Sequence, residues 1–148
     1  MMKFKMPCCG GTKEVRLCVH SYDLYGNLAV ETRIRTGPFR WEPADMLTVN
    51  ISPRGNADYA LIDTNKLGGD ILAWLEEIHL AIPTDREEQS GFCIYPEYHF
   101  NPELLMKADP KGYARHLRQW NERRASEKLR TAAFDSMSLF QKGTVVKP

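Results

Sequence analysis

The chain has 148 residues, 43% hydrophobic and 26% charged, with a formal net charge of +1. These values fit one globular domain and exclude both a uniformly basic nucleic-acid coat and a uniformly acidic tail. The longest apolar run, Ile71-Leu72-Ala73-Trp74-Leu75, is far short of the ~18 residues of a membrane span, and fifteen aromatic residues argue against intrinsic disorder.

In chain order, residues 1–13 are expected to be a flexible arm carrying Cys8 and Cys9. Lys3 and Lys5 are followed by no apolar segment, so no secretory leader and a cytoplasmic location are expected. Residues 14–20 and 28–34 alternate polar and apolar, the period of strands with one buried face. Tyr25-Gly26-Asn27 between them reads as a turn. Pro38 and Pro43 interrupt the next stretch, and strands resume at 46–51 and 59–62 around the turn Pro53-Arg54-Gly55-Asn56. Asp63, Thr64 and Asn65 are helix caps, but Gly68 and Gly69 delay a regular helix to residues 70–82, which Pro83 ends. Residues 84–90 read as a polar loop, 92–95 as a strand ending before Pro96, and 102–106 as a short helix with proline in its first turn.

A longer helix is expected over 111–121, with Tyr113, Leu117 and Trp120 on one face and Lys111, Arg115 and Arg118 opposite. Beyond it, residues 122–128 contain no apolar position except Ala125, so a basic helical extension and tail are expected over 122–148, with Phe134, Met137, Leu139 and Phe140 free to dock elsewhere. The expected architecture is therefore α+β: one domain over 14–121, with an antiparallel sheet covered on one face by two helices, and a long basic C-terminal helix.

Charge is segregated along this plan. Residues 1–66 carry nine basic and seven acidic groups, residues 67–110 carry two and nine, and residues 111–148 carry nine and three. An acidic middle at −7 and a basic end at +6 share one chain, a distribution that favours oriented electrostatic association. Arg115, Arg118, Arg123, Arg124, Lys128 and Arg130 are the candidate partner-binding residues. With Tyr113 and Trp120 interleaved, the same helix could lie along nucleic-acid phosphates, although both aromatics share the apolar face.

Other chemistry is weaker. Cys8, Cys9, Cys18 and His20 are weak zinc candidates: they cluster in sequence, but a structural site usually pairs ligands two to four residues apart. Without a leader the cysteines are expected to be reduced. Cys93 would need one of His20, His79, His99 or His116 and an acid such as Asp63 to act as a nucleophile, and nothing in the spacing assembles them. Cys93 and His79 are more simply core residues. Gly68-Gly69 lacks the lysine of a phosphate loop. Neither a catalytic residue nor a cofactor is expected.

Three blocks carry a family resemblance: Leu47-Thr48-Val49-Asn50, Ile62-Asp63-Thr64-Asn65, and Ser90-Gly91-Phe92-Cys93-Ile94-Tyr95-Pro96-Glu97-Tyr98-His99-Phe100. Over about residues 46–105 the chain resembles a family described as a domain of unknown function, number forty-three thirteen. Such sequences tend to have a glycine after the threonine that precedes the third block, where this chain has Thr84-Asp85. The resemblance implies accessory cargo of bacterial conjugative elements, plasmids and phages, a setting in which small proteins often inhibit host defence, including anti-restriction and anti-CRISPR proteins. It brings no catalytic residue. The expected function is a non-enzymatic accessory protein that binds a host protein or nucleoprotein complex. The alternatives are a nucleic-acid-binding module using the basic helix and a zinc-stabilised adaptor.

Overall fold

The computed structural model describes residues 2–8 and 10–146, with side chains described as far as residue 137. Cys9, and the side chains of Leu139 and Phe140, lie outside the described set. The fold is α+β with antiparallel strands, as expected, but the strands form two four-stranded sheets instead of one.

The first sheet is a meander of β1 (Phe4–Cys8), β2 (Gly11–Ser21), β3 (Leu28–Gly37) and β4 (Arg40–Met46). β1 and the start of β2 replace most of the expected flexible arm. Phe4 and Met6 alternate with exposed Lys5 and Pro7 and are buried, and five residues pair with β2 from Phe4↔Val15 to Cys8↔Gly11. Five residues are short for a sequence signal, which is why the two buried positions passed as an arm. β4 was hidden by Pro43, which pairs with Arg33 beside a register shift at the outer edge of the sheet, where a missing N–H is tolerated.

The chain passes from β4 through buried Leu47 into the second sheet, of order β5-β6-β8-β7. Its strands are β5 (Thr48–Val49), β6 (Tyr59–Ile62), β7 (Ala81–Ser90) and β8 (Cys93–Phe100). Between β6 and β7 lie α1 (Thr64–Leu67) and α2 (Asp70–Glu77). Asp63 caps α1, its Oδ1 accepting from the Lys66 N–H at 3.1 Å. The expected helix over 70–82 stops at Glu77. His79 takes a left-handed φ of 59° and is exposed rather than packed, and the Leu80 N–H bonds back to the Leu75 carbonyl at 2.9 Å, closing the helix in the manner of a left-handed cap. Residues 84–90, expected as loop, belong to β7. Pro83 pairs with Tyr98 on this edge strand, and the register shifts between Pro83 and Glu87. Pro96 does not end β8; it sits past the last residue paired with β6, opposite Glu87.

The core gathers Val15, Leu17, Val19 and Val30 from the first sheet, Ile62, Tyr98 and Phe100 from the second, and Ile71, Trp74 and Leu75 from α2. Trp74 Nε1 donates to the Lys5 carbonyl at 2.7 Å and Tyr98 Oη to Glu76 Oε2 at 3.1 Å, so α2 is bonded to both sheets. Burial raises the Tyr98 phenol to about 12, assisted by Glu76. Two further helices complete the fold: α3 (Pro102–Ala108), capped by Asn101 at the Glu103 and Leu104 N–H groups, and α4 (Pro110–Val146). No described helix is long and apolar enough to cross a membrane.

Candidate partner-binding surface

α4 is 37 residues long, about 55 Å at 1.5 Å per residue, and its two halves differ. In the first half Tyr113, His116 and Trp120 are buried and Leu117 is half-buried, while Lys111, Arg115 and Arg118 are exposed. The face expected from spacing is the face observed, with His116 added to it.

The root of α4 is set by Asp109. Its Oδ2 accepts the Val19 N–H at 2.8 Å and its Oδ1 accepts the Gly112 N–H at 3.1 Å, tying the helix start to a β2 amide that β1 no longer covers. Gly112 allows the approach: a Cβ there would lie 2.6 Å from the Val19 carbonyl oxygen and overlap the Asp109 carboxylate.

One turn further, His116 is 1% exposed. Its Nδ1 lies 2.6 Å from Ser21 Oγ and its Nε2 lies 2.7 Å from the Ala57 carbonyl oxygen. A carbonyl only accepts, so Nε2 carries the proton and Nδ1 accepts from the serine. Burial pushes the imidazole below its ordinary value, against weaker opposing effects of the Ala57 bond and Asp58. Tyr113 Oη donates to Asp58 Oδ1 at 2.6 Å, and its phenol is pushed upward by burial and by that carboxylate. The imidazole is thus a clamp between the end of β2 and the loop before β6. Sequence spacing marked Tyr113 and Trp120, but a lone histidine gave no sign of its two partners, 95 and 59 residues away.

The second half of α4 leaves the domain. Among the residues whose side chains are described, Trp120 is the last buried one, and every residue from 121 to 137 is exposed. Among the candidate residues, Arg115, Arg118, Arg124, Lys128 and Arg130 face solvent, with the Arg124 guanidinium 5.7 Å from the Trp120 ring centroid. Arg123 is also exposed but turns back on its own domain. Its Nη2 donates to the Asp23 carbonyl at 2.9 Å across an open cleft of about 350 Å³ that Tyr22, Gln119 and Glu122 also line. A side chain on Gly26, which has a φ of 71°, would lie 2.8 Å from Arg123 Nε.

Between the basic residues runs an apolar ridge. Ala125, Leu129, Ala133 and Met137 recur every four residues, which places them on one slowly turning face. Leu129 is 72% and Met137 63% exposed, and Phe134, beside the ridge, is 71% exposed. At about 100° per residue, Lys128 and Arg130 flank Leu129 on opposite sides.

The acidic middle does not cover the second half of this helix, where residues 121–137 are exposed. Among the described residues no ion pair joins α4 to it. Glu97, 3% exposed, binds Arg54 Nη1 at 2.9 Å, Arg86 Nη2 at 2.8 Å and the Thr84 hydroxyl at 2.8 Å. Arg54 Nη2 also binds Glu88 at 2.6 Å. This network, which sequence reading missed because Arg54 lies within a turn signal, holds the 50s loop to β7 and β8.

The weak zinc candidates do not come together as a group. Cys8 pairs with Gly11, seven residues from Cys18 along β2 and so about 23 Å away at 3.3 Å per residue. Cys18 and His20 do share a face, and Glu31 of β3 joins them. Burial pushes the Cys18 thiol upward, with Arg33 opposing and Asp109 and Glu31 adding. Cys93 closes the β7–β8 hairpin opposite Ser90 and neighbours Tyr95.

No curated protein and no solved structure is significantly similar to the chain. A family model described as "Domain of unknown function (DUF4313)" matches residues 16–120, from within β2 to Trp120 on α4. The exposed extension bearing Arg123, Arg124, Lys128 and Arg130 lies beyond the match. Covering more than two thirds of the sequence and the greater part of both sheets, this match shows that the chain belongs to the DUF4313 family.

Proposed function

We propose that this DUF4313 member is a non-enzymatic accessory protein of a mobile genetic element. Its exposed α4 extension docks into an acid-rimmed groove of a cytoplasmic host protein or nucleoprotein complex, blocking a defence function of the anti-restriction or anti-CRISPR type. The mobile-element and defence setting rests on the family resemblance; the docking mode rests on the helix. The observation that carries it is the exposed ridge of Leu129 and Met137, with Lys128 and Arg130 exposed on opposite sides of it. A helix laid into a groove is read through apolar anchors that recur every three or four residues. Each large side chain contributes about 1.5–3 kcal/mol on full burial, before the costs of ordering and association.

The competing use of the helix is phosphate binding, for which basic groups should gather on one face. Lys128 and Arg130 instead diverge by about 200° around the axis, with apolar surface between them. A protein groove with acidic rims meets both rows and the ridge together.

The test is capture from bacterial lysate with the tagged full chain, in nuclease-treated and untreated halves, read by mass spectrometry. A stoichiometric protein retained after nuclease, and lost with the Leu129→Glu variant, supports the reading. Recovery of nucleic acid and its companions that disappears on treatment overturns it in favour of nucleic-acid binding.

A further inference from the structure

We propose that Cys18, His20 and Glu31 form a zinc-binding site on the outer face of the first sheet, with one coordination position left for water. Cys18 and His20 are two residues apart on β2, so their side chains leave the same face. Glu31 is the direct cross-strand partner of Cys18 on β3, which places the carboxylate beside the thiol on that face. The three ligand atoms lie within 4.8 Å of one another. Zinc bonds of about 2.0–2.3 Å at tetrahedral angles need donor separations of roughly 3.3–3.6 Å. Each donor therefore has only about 1 Å to close, a side-chain adjustment that leaves the strand ladder intact.

The donor set selects the metal. A thiolate with an imidazole favours zinc over magnesium or calcium, which prefer all-oxygen shells. Three protein ligands with an open position match the pattern of reactive zinc sites more than the closed structural ones. The surroundings suit a cation bound at a partly open face. His20 is 40% and Glu31 15% exposed at the side chain, so one side admits the ion and a water. Glu31 Oε1 already receives Arg33 Nε at 3.0 Å and His20 Nε2 lies 3.3 Å from it. Arg33 would remain as an outer partner orienting the carboxylate, while Oε2 makes no hydrogen bond among the described residues. Arg33 is the opposing charge at the site, and the Asp109 carboxylate near the Cys18 thiol offsets it.

The site differs from the one suggested by sequence clustering, and the test separates the two. The reduced full-length chain is titrated with Co²⁺ as a spectroscopic probe, and Zn²⁺ affinity is read by competition with a chelating dye. One ion per chain with a thiolate-to-cobalt charge-transfer band is expected. Cys18→Ser should abolish the band, and His20→Ala and Glu31→Gln should each weaken zinc binding by at least the roughly 10–100-fold that loss of a mere outer partner costs. A Cys8→Ser, Cys9→Ser double variant should bind as the parent does. Circular dichroism checks each variant's fold, and should Cys18→Ser unfold, the half-exposed His20→Ala carries the test. No charge-transfer band, a band that survives in folded Cys18→Ser, undiminished zinc affinity in His20→Ala, or loss of binding in the Cys8, Cys9 double variant would overturn the assignment.

Discussion

Gly112 sits where α4 crosses β2, and its missing side chain is what allows that crossing. A Cβ there would overlap the Asp109 carboxylate and lie 2.6 Å from the Val19 backbone oxygen, and the backbone oxygen cannot rotate away. Gly112→Ala should therefore cost about 1–3 kcal/mol as an overpacked core substitution, despite alanine's better helix propensity, and urea denaturation measures it. Tyr113→Phe should cost a similar ~1.5–3 kcal/mol, because it removes a hydrogen bond to a carboxylate and leaves Asp58 Oδ1 without its donor. His116 predicts a pH dependence with a definite sign. Its native value lies below its ordinary 6.5, so on acidification the unfolded chain takes up the proton first. Its contribution to stability is complete above that pH, falls as the pH drops below it, and levels off below the lowered native value. His116→Gln should flatten this part of the stability–pH curve. Asp85 is a position that family resemblance marked and the structure explains. Its φ is 67°, in the bulged part of β7, where glycine is unstrained. Asp85→Gly should relieve about 1–2 kcal/mol of left-handed strain against about 0.5–1 kcal/mol of added chain entropy, for a net gain of roughly 0.5 kcal/mol.

At the scale of elements, alternation and spacing made β2, β3, β6 and the buried face of α4 legible, because each is long or strongly patterned relative to its neighbours. Prolines were the main source of error. Pro43 and Pro83 lie on edge strands and Pro96 lies past the β6 pairing, so none removes an essential ladder donor. A sequence does not announce which strands will be edges. The end of α2 was also misplaced, since His79 adopts a conformation usually reserved for glycine, and apolar spacing carried the expected helix on to Ile82. In the extension of α4, the exposed stripe was legible as a lack of core contact, while its ridge-and-rows arrangement needed the helix to be continuous through residue 137. Because Lys128, Leu129 and Arg130 are exposed and make no contact with the domain, Leu129→Glu or the pair Lys128→Glu and Arg130→Glu should change unfolding free energy by no more than about 0.5 kcal/mol. The same variants should remove partner binding, so stability and binding should separate cleanly on this element.

At the scale of the molecule, the charge segregation seen along the chain has two different fates. Part of the acidic middle is consumed internally, with Glu97 and Glu88 neutralising Arg54 and Arg86 on the second sheet. The basic end remains on a helix that leaves the domain. The arrangement of two sheets was out of reach of local pattern, because β5 has only two residues and the passage through Leu47 is a tertiary event. Asp109 and Glu31 were likewise unrecognisable as site residues, and His116 stood out only as a possible partner for Cys93, since each gains its role from partners across the sheets. The central claim is that α4 binds a protein partner through its exposed ridge and flanking charges. Parallel capture by the parent chain and by Leu129→Glu, both after nuclease treatment and with matched thermal stability, tests it most directly. One stoichiometric protein held by the parent and absent from the variant is the expected result. Equal capture by both, or recovery of nucleic acid alone before treatment and nothing after it, would contradict it.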